Sequence, residues 1–282
     1  MIDVMMVVYA VFVFMLTTAI GSFLNVVIYR LPRKMNLAKP ASHCPKCDNP
    51  IKWYDNIPIV SYIILGGKCR HCKEPISPRY IIVEAMTGII STLIFLRFGL
   101  TANALFGIVM FLLLIPISFI DAEHMIIPDS CIIGLLVLGI FGVFFNNLEY
   151  GYGIIKIDFV SKLIALGIVV VISFIILLLE RLMKRDLMGG GDLKLFAVSS
   201  LILGWQLFLL MLCFSSIIAC VVEITKEQIR KAKNGKEEDE NEEEAPAKEA
   251  HLFAFGPYIA LSVMIVYCFG INIIEWWLQL IA

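Results

Sequence analysis

Seven long stretches of this chain are apolar and carry little or no charge, and they constrain the fold more than any other feature. A helix that crosses a membrane needs about 20 mostly apolar residues. The stretches are residues 4–29, 80–96, 101–120, 130–148, 159–179, 195–222 and 255–281. Hydrophobic residues make up 60% of the 282 positions, which is more than one soluble core of this size can hide. The sequence therefore predicts an all-α polytopic membrane protein surrounded by a lipid bilayer.

The positions of lysine and arginine predict how the helices thread through the membrane. Residues 30–79 carry ten of these basic residues, and basic loops accumulate on the cytoplasmic side. This places the N-terminus outside and, by alternation, Asp121 and Asp192 inside. The basic residues that follow position 222 are also expected inside, so the stretch 195–222 must leave and return, with a turn near Gly204. The prediction is about eight transmembrane helices, and one tilted helix over 195–222 is the alternative.

Four further expectations concern the termini, the linker and the partners. The first apolar stretch is too long for a signal-peptide core and lacks a cleavage site, so we expect it to remain as a span. The acidic run 237–244 has the composition of a solvated linker. No internal repeat and no glycine-rich nucleotide fingerprint are visible. We expect no nucleic-acid partner.

Four cysteines in the basic loop predict a metal site. Cys44 and Cys47 form one Cys-x-x-Cys pair, and Cys69 and Cys72 form another. Four thiolates at this spacing suit tetrahedral Zn²⁺, and a site filled by four protein ligands leaves no position for a reactive water, so the zinc would be structural. The alternatives are free thiols, a redox pair, or a ligand set in which His43 or His71 replaces a cysteine.

The segment 121–129 presents the first candidate acid at the end of a predicted helix. Asp121 follows an uncharged stretch directly, and His124 lies one helical turn later. Pro128 should end the helix, and Asp129 is then placed to cap the next one. Ionisable residues at membrane depth are costly and usually functional, so Asp121 is the candidate for chemistry and Asp129 has a structural interpretation.

The second candidate acid is Asp192, which follows three consecutive glycines. Gly189 and Gly191 remove side chains beside the acid, so a substrate strand could lie against the exposed main chain there. The alternative is a plain glycine turn in which Asp192 is the N-cap of the next helix.

The two acids together suggest a reaction class. Two carboxyl groups held close resist double ionisation, so one keeps a proton while the other stays charged. The charged group can take a proton from an attacking water and the protonated group can donate to the developing oxyanion, which hydrolyses a peptide without a metal. The sequence predicts such a pair if the fold brings Asp121 and Asp192 together.

Several segments resemble the bacterial type IV prepilin peptidases, which are membrane aspartyl proteases that also N-methylate their product. The matching segments are 21–32 (GSFLNVVIYRLP), the two cysteine pairs, 77–80 with Glu84, 121–129, and the glycines that end at Asp192. The resemblance implies catalytic aspartates at Asp121 and Asp192. It also implies a prepilin or pseudopilin substrate with a short basic leader that is cut after glycine, and methyl transfer from S-adenosylmethionine to the new N-terminus.

The chain is expected to divide into five parts. The expected parts are a first span at 1–29, a cytoplasmic zinc loop at 30–79, a transmembrane aspartyl peptidase core at 80–224, a charged cytoplasmic linker at 225–250 and a last span at 251–282. The protein is expected in the bacterial cytoplasmic membrane with its active site facing the cytoplasm.

Other polar residues near these segments are candidates for supporting roles. Glu84, Glu123 and His124 are expected to assist the aspartates, although Glu84 could instead pair with Arg79 and Glu123 could face water. Helix packing explains Gly21 and Asn25 as well as methyl-donor binding does, and interfacial snorkelling explains Arg30.

Two other classes of protein compete with the peptidase. A transporter would also gather carboxyl groups at interrupted helices, and a zinc-bearing membrane scaffold would not need either aspartate.

Overall fold

The structure is a computed structural model that describes residues 4–145, 148–149, 156–157, 159–184, 188–234 and 253–281. The helices are α1 Val4–Arg30, α2 Val60–Ile64, α3 Arg79–Phe98, α4 Ala102–His124, α5 Asp129–Phe145, α6 Phe159–Met183, α7 Gly190–Asn234 and α8 Gly256–Ile281. A 3₁₀ turn spans Trp53–Asn56, and the two-residue strands β1 Leu148–Glu149 and β2 Lys156–Ile157 pair antiparallel. The all-helical membrane fold is confirmed, and this short hairpin is the exception within the described residues.

Six of these helices are long and apolar enough to cross a membrane, namely α1, α3, α4, α6, α7 and α8. α5 is apolar but shorter. Helix α4 is central, because 56% of its most apolar 18-residue segment is buried in the protein. The corresponding segment of α6 is only 11% buried, and most of its residues face outward. Because α6 faces outward over most of its surface and is apolar between its two ends, its exposed side chains suit contact with lipid.

Helix α7 is interrupted at Gly204, where the backbone is not helical (φ 73°, ψ 171°). Near its start Gly191 packs against Ile127, and near its end Glu223 accepts a hydrogen bond from the Tyr258 hydroxyl at 2.5 Å. Both contacts lie at one end of the bundle, although a straight helix between these positions would span about 48 Å.

The chain therefore turns back at Gly204. Leu207 packs against Gly270, twelve residues beyond Tyr258 and just past the middle of α8. The two arms of α7 count as two crossings, and together with α5 and the five other long helices they give the eight predicted from the basic loops. Helix α7 continues to Asn234, and the acidic run 237–244 lies outside the described residues.

Helices α1 and α3 pack closely because small residues face each other. A Cβ added at Gly88 would lie 2.4 Å from the Thr18 methyl carbon, and one added at Gly21 would lie 2.9 Å from the Thr87 hydroxyl oxygen. Such small residues let helix backbones approach in a membrane. The packing interpretation of Gly21 is the one that the structure bears out.

Candidate active site and metal site

The last turn of α4 and the first turn of α8 meet at one end of the bundle and place Asp121 in a buried position. Asp121 lies in the last turn of α4 and is 5% exposed. Its Oδ2 accepts a hydrogen bond of 2.9 Å from the backbone N–H of Gly256, the first residue of α8. Helix N-termini present unpaired N–H groups and favour negative charge, so α8 supplies Asp121 with a fixed donor.

Gly256 is a site residue to which the sequence analysis gave no role. A Cβ at this position would lie 2.7 Å from Asp121 Oδ2 and 3.1 Å from its Cγ, so a larger residue would displace the carboxyl group. Phe255 precedes it and packs against Phe196 and Tyr258, with ring centroids 6.2 and 6.3 Å away. The sequence signal for this residue was a glycine beside Pro257 at a helix start, a pattern that fixes a helix N-terminus but does not reveal its partner.

Asp192 lies in the first turn of α7, on the same end of the bundle as Asp121. Its backbone N–H donates to the Gly189 carbonyl at 3.0 Å, and its side-chain Oδ1 is buried with no hydrogen-bond partner among the described residues. The helix begins at Gly190, so Asp192 is inside the helix and is not its N-cap as the alternative supposed.

The two aspartates lie near enough to interact electrostatically. Gly191 brings their segments together, because a Cβ there would lie 2.9 Å from the Ile127 side chain in the loop that follows Asp121. This glycine therefore serves packing rather than open access for a substrate, whereas Gly190 has nothing within 4 Å and Gly189 is exposed. The fold thus brings together two carboxyl groups from helices distant in sequence.

The supporting residues proposed from the sequence lie in different surroundings. His124 ends α4, where its Nε2 is buried without a hydrogen-bond partner in the described part of the chain. Glu123 pairs with Arg79 at 2.7 Å while its side chain remains 36% exposed, so Glu123 does face water, and Arg79 pairs with it rather than with Glu84. Asp129 begins α5 and pairs with Lys194 at 2.6 Å on the surface.

Glu84 is buried between α1, α3 and the cysteine loop. It is 7% exposed, and its Oε2 accepts a 2.8 Å hydrogen bond from the backbone N–H of Ile59, a loop residue with a left-handed φ of 63°. The Ser22 hydroxyl on α1 also bonds to this carboxyl group. Glu84 therefore connects α1, α3 and the cysteine loop.

The four cysteines of the loop come together as predicted. The four sulfurs of Cys44, Cys47, Cys69 and Cys72 all lie within 4.8 Å of one another. The Cys44 and Cys72 sulfurs are 3.8 Å apart, and two sulfurs bound at about 2.3 Å to a tetrahedral Zn²⁺ are separated by about 3.8 Å. The cluster is therefore close to the arrangement that a tetrahedral ion needs. The imidazole Nδ1 of His43 is engaged with the Ala41 carbonyl.

The loop contains an internal repeat that the sequence analysis missed. The N–H of Cys44 bonds the Asn49 carbonyl, and the N–H of Cys69 bonds the Glu74 carbonyl twenty-five residues later. The bridges His43 to Pro50 and Lys68 to Pro75 repeat at the same offset. The signal was present as two copies of Cys-x-x-Cys-x-x-Pro, and each copy turns two sulfurs toward one centre.

The backbone prepares these thiols for a cation. The N–H groups of Cys72 and His71 lower the pKa of the Cys69 thiol to about 7, and the Asn49 N–H lowers the pKa of Cys47. At Cys72 the Glu74 N–H acts in the same direction, but burial and the neighbouring sulfurs outweigh it and raise the pKa to about 12. A cation at the centre would offset the mutual repulsion of the thiolates.

Arg30 is not a snorkelling residue. It is 7% exposed, and its guanidinium donates to the carbonyls of Asn36, Leu37 and Pro40 at 2.9, 3.3 and 2.7 Å. It therefore holds the start of the cysteine loop against the end of α1. Asn25 is buried and donates to the Gly21 and Tyr80 carbonyls, in keeping with a packing role between α1 and α3.

These features define a polytopic membrane protein with paired carboxyl groups at one end of its helices and a four-cysteine loop at the same end. Two family profiles match the chain. The profile described as Bacterial Peptidase A24 N-terminal domain covers residues 15–98, and the one described as Type IV leader peptidase family covers residues 108–224.

Relatives match over nearly the whole chain, and each is called a prepilin leader peptidase/N-methyltransferase. The protein of Legionella pneumophila is 31% identical over 92% of this chain and 91% of its own length. The proteins of Neisseria gonorrhoeae and Pseudomonas aeruginosa are 34% and 31% identical over 92% of this chain and 91% and 90% of their own lengths. No solved structure matches. The chain belongs to the type IV leader peptidase family, which confirms the resemblance.

Proposed function

We propose that this protein cleaves the basic leader from type IV prepilins or pseudopilins, with Asp121 and Asp192 as its catalytic pair, and then N-methylates the new N-terminus. The observation that carries the peptidase proposal is that two carboxyl groups, one buried and one partly buried, from α4 and α7 lie within electrostatic reach at one end of the bundle. The names of the relatives support the substrate and the second activity.

The surroundings of the two acids support different roles for them. Asp121 accepts the N–H of Gly256 at the start of α8, and such a charge-assisted bond favours the ionised form. Asp121 would therefore take a proton from the attacking water. Asp192, with a buried and unpartnered Oδ1, would hold a proton and donate it to the carbonyl oxygen as the tetrahedral intermediate forms.

Collapse of the tetrahedral intermediate completes the hydrolysis. The C–N bond breaks, the leaving amine takes up a proton from Asp121, and the intermediate's hydroxyl proton returns to Asp192. Water thus supplies the hydroxyl of the new carboxyl group and the hydrogen on the new amine, and the pair ends in its starting state.

The position of the pair suits a substrate that is half in the membrane. Both acids lie in terminal turns of apolar helices, so a substrate helix in the bilayer would bring the peptide just outside it to the pair. The basic loop 30–79 lies at the same end of the bundle, because Glu84 and Arg30 bind it there. Basic loops are retained on the cytoplasmic side, which supports a cytoplasmic active site in the bacterial inner membrane.

The cysteine cluster supports a structural zinc ion held by Cys44, Cys47, Cys69 and Cys72. Bound there, the ion would fix the loop backbone and supply no reactive water, since protein sulfurs fill all four positions. S-adenosylmethionine would supply the methyl group for the second activity.

A direct test compares purified wild type with Asp121→Asn and Asp192→Asn on a synthetic prepilin, with leader loss followed by mass spectrometry. An amide can neither take the water's proton nor donate as an acid, so each variant should lose at least about a thousandfold in cleavage rate. Asp129→Asn is the matched control, because this exposed acid of the same segment pairs with Lys194 and should retain the wild-type rate.

Undiminished cleavage by either Asp121→Asn or Asp192→Asn would overturn the assignment. A scaffold or transporter would show no leader loss with any of the proteins, wild type included, so the same assay separates those classes from the peptidase.

A further inference from the structure

A cavity lies between the cytoplasmic half of α1 and the cysteine loop, away from the two aspartates. Its volume is about 350 Å³. One face of α1 forms its floor through residues spaced by three or four positions, which places them on one side of a helix. These residues are Ala19, Ser22, Phe23, Val26 and Arg30.

Arg30 holds the first wall of the cavity. Its three hydrogen bonds to the carbonyls of Asn36, Leu37 and Pro40 fix the backbone that contributes Leu37, Pro40 and Ser42 to the lining. The wall ends two residues before Cys44, a member of the metal cluster. A buried arginine in a membrane helix is costly unless it is paired, so this wall is a built feature of the fold.

Glu84 holds the second wall. It accepts the N–H of Ile59, and the residues just before Ile59, Asn56 and Pro58, line the cavity. The same carboxyl group bonds Ser22 in the floor. Two buried charged side chains, one on α1 and one on α3, thus place separate stretches of irregular loop over one face of α1.

The chemistry of the lining selects a class of ligand. Arg30 is the only charged residue of the lining. The hydrogen bonds of Arg30 to the three loop carbonyls leave further guanidinium N–H donors for a carboxylate. Ser22, Ser42 and Asn56 offer polar groups, while Phe23 and Val26 offer aromatic and apolar surface for a heterocycle. The volume falls in the range of small-molecule sites, about 300–1,000 Å³.

We propose that this cavity is the S-adenosylmethionine site of the protein, an inference that rests on the proposed methyl-transfer activity. The carboxylate of the donor would face Arg30 and its adenine ring would lie against Phe23 and Val26. The cavity belongs to the segment matched by the N-terminal profile, separate from the residues 108–224 matched by the peptidase profile.

The reaction balances without a further reactant. The new N-terminal amine of the cleaved substrate loses its proton to water, and its lone pair forms the C–N bond to the methyl group. The C–S bond of the donor breaks as this bond forms, and the electron pair returns to sulfur, so S-adenosylhomocysteine leaves as a neutral thioether.

The test fills the cavity and measures binding directly. Val26→Trp places an indole in the cavity, and Val11→Trp places the same group on an exposed part of α1, where Val11 is 51% exposed. Equilibrium dialysis with tritiated S-adenosylmethionine on the purified full-length proteins should show binding weakened at least about tenfold in Val26→Trp and unchanged in Val11→Trp. Leader cleavage, measured on the same preparations, should stay within about twofold of wild type, because it uses the other site.

A second pair of variants removes surface instead of filling space. Phe23→Ala takes away the aromatic side chain, and Phe12→Ala is its match, since Phe12 and Phe23 are 58% and 52% exposed on the same helix. Only Phe23→Ala should weaken binding. Wild-type binding in both Val26→Trp and Phe23→Ala, or no binding of the donor by a wild type that cleaves leaders, would overturn this site and leave the peptidase proposal standing.

Discussion

The cysteine loop and the helical core of this protein reach defined shapes by different means. In the loop, which has little regular structure, buried side chains bind backbone atoms: Arg30 binds three carbonyls and Glu84 binds the N–H of Ile59. In the core, Asp121 and Asp192 are placed by packed helices, and the hydrogen bond to Asp121 Oδ2 comes from the backbone of α8. The loop therefore depends on a few polar contacts and on the four-cysteine cluster, while the core depends on apolar packing.

This contrast predicts that a substitution can impair one region without impairing the other. A change beside the aspartates should abolish cleavage without releasing metal, whereas a change in the loop should release metal or methyl donor and leave the pair in place.

Gly256→Ala should have the largest effect on cleavage. The added Cβ would lie 2.7 Å from Asp121 Oδ2, so the carboxyl group must rotate away from α8 and from its catalytic position. Misplacement of a catalytic group by about 1 Å costs about a hundredfold in rate, and we expect a loss of that size with unchanged metal content. Gly190→Ala is the matched control, because nothing lies within 4 Å of its added Cβ; equal rates for the two variants would contradict the role of Gly256.

Replacing Cys44 and Cys72 by serine together should remove the bound metal. Serine hydroxyls replace two of four thiolate ligands, so elemental analysis should fall from about one zinc per chain to near zero. We expect S-adenosylmethionine binding to weaken at least about tenfold as the wall before Cys44 loosens, and cleavage to fall less than it does in Gly256→Ala.

A matched replacement of Cys213 and Cys220, which are exposed cysteines of α7, should retain the metal. Full metal content in the Cys44 and Cys72 variant would exclude the four-cysteine site.

Glu84→Leu should loosen the second wall of the cavity. The Ile59 N–H loses its charged acceptor, and a hydrogen bond of this kind is worth about 1.5–3 kcal/mol. Hydrogen exchange at the Ile59 amide should therefore accelerate by at least about tenfold, as measured by mass spectrometry of the loop peptide. Glu84→Gln retains an oxygen acceptor and should exchange more slowly than Glu84→Leu, and the reverse order would argue against this contact.

Arg79→Ala should have the smallest effect. Its pair with Glu123 joins the start of α3 to the end of α4, but the two side chains are 17% and 36% exposed. Ion pairs of this kind contribute about 0.2–1 kcal/mol, so leader cleavage should change less than about fivefold. The cleavage rate of Arg79→Lys should lie between the rates of Arg79→Ala and wild type. A loss as large as that of Gly256→Ala would place Arg79 in the catalytic machinery instead of at its edge.

Local features of the sequence were enough to predict the helices, the turn near Gly204, the cysteine cluster and the placement of Asp121 and Asp192 on the same side of the membrane. Whether the two acids meet was decided by the packing of α4 and α7. Uncharged stretches must be helical in a bilayer because their backbone groups have no water to bond. Cysteine spacing fixes a four-sulfur cluster through local turns, and basic loops fix which helix ends share a side of the membrane. These properties depend on composition and on short distances along the chain.

The partners of the buried polar groups were decided only by the tertiary structure. The Gly256 N–H donates to Asp121, and the Ile59 N–H donates to Glu84. Arg79 pairs with Glu123 rather than with Glu84. The sequence offers several chemically equivalent partners for each of these groups, and the free energy of a hydrogen bond depends on separations of a few tenths of an ångström. Those separations are set when distant helices pack, so composition and spacing predict the groups that take part but not the pairs that form.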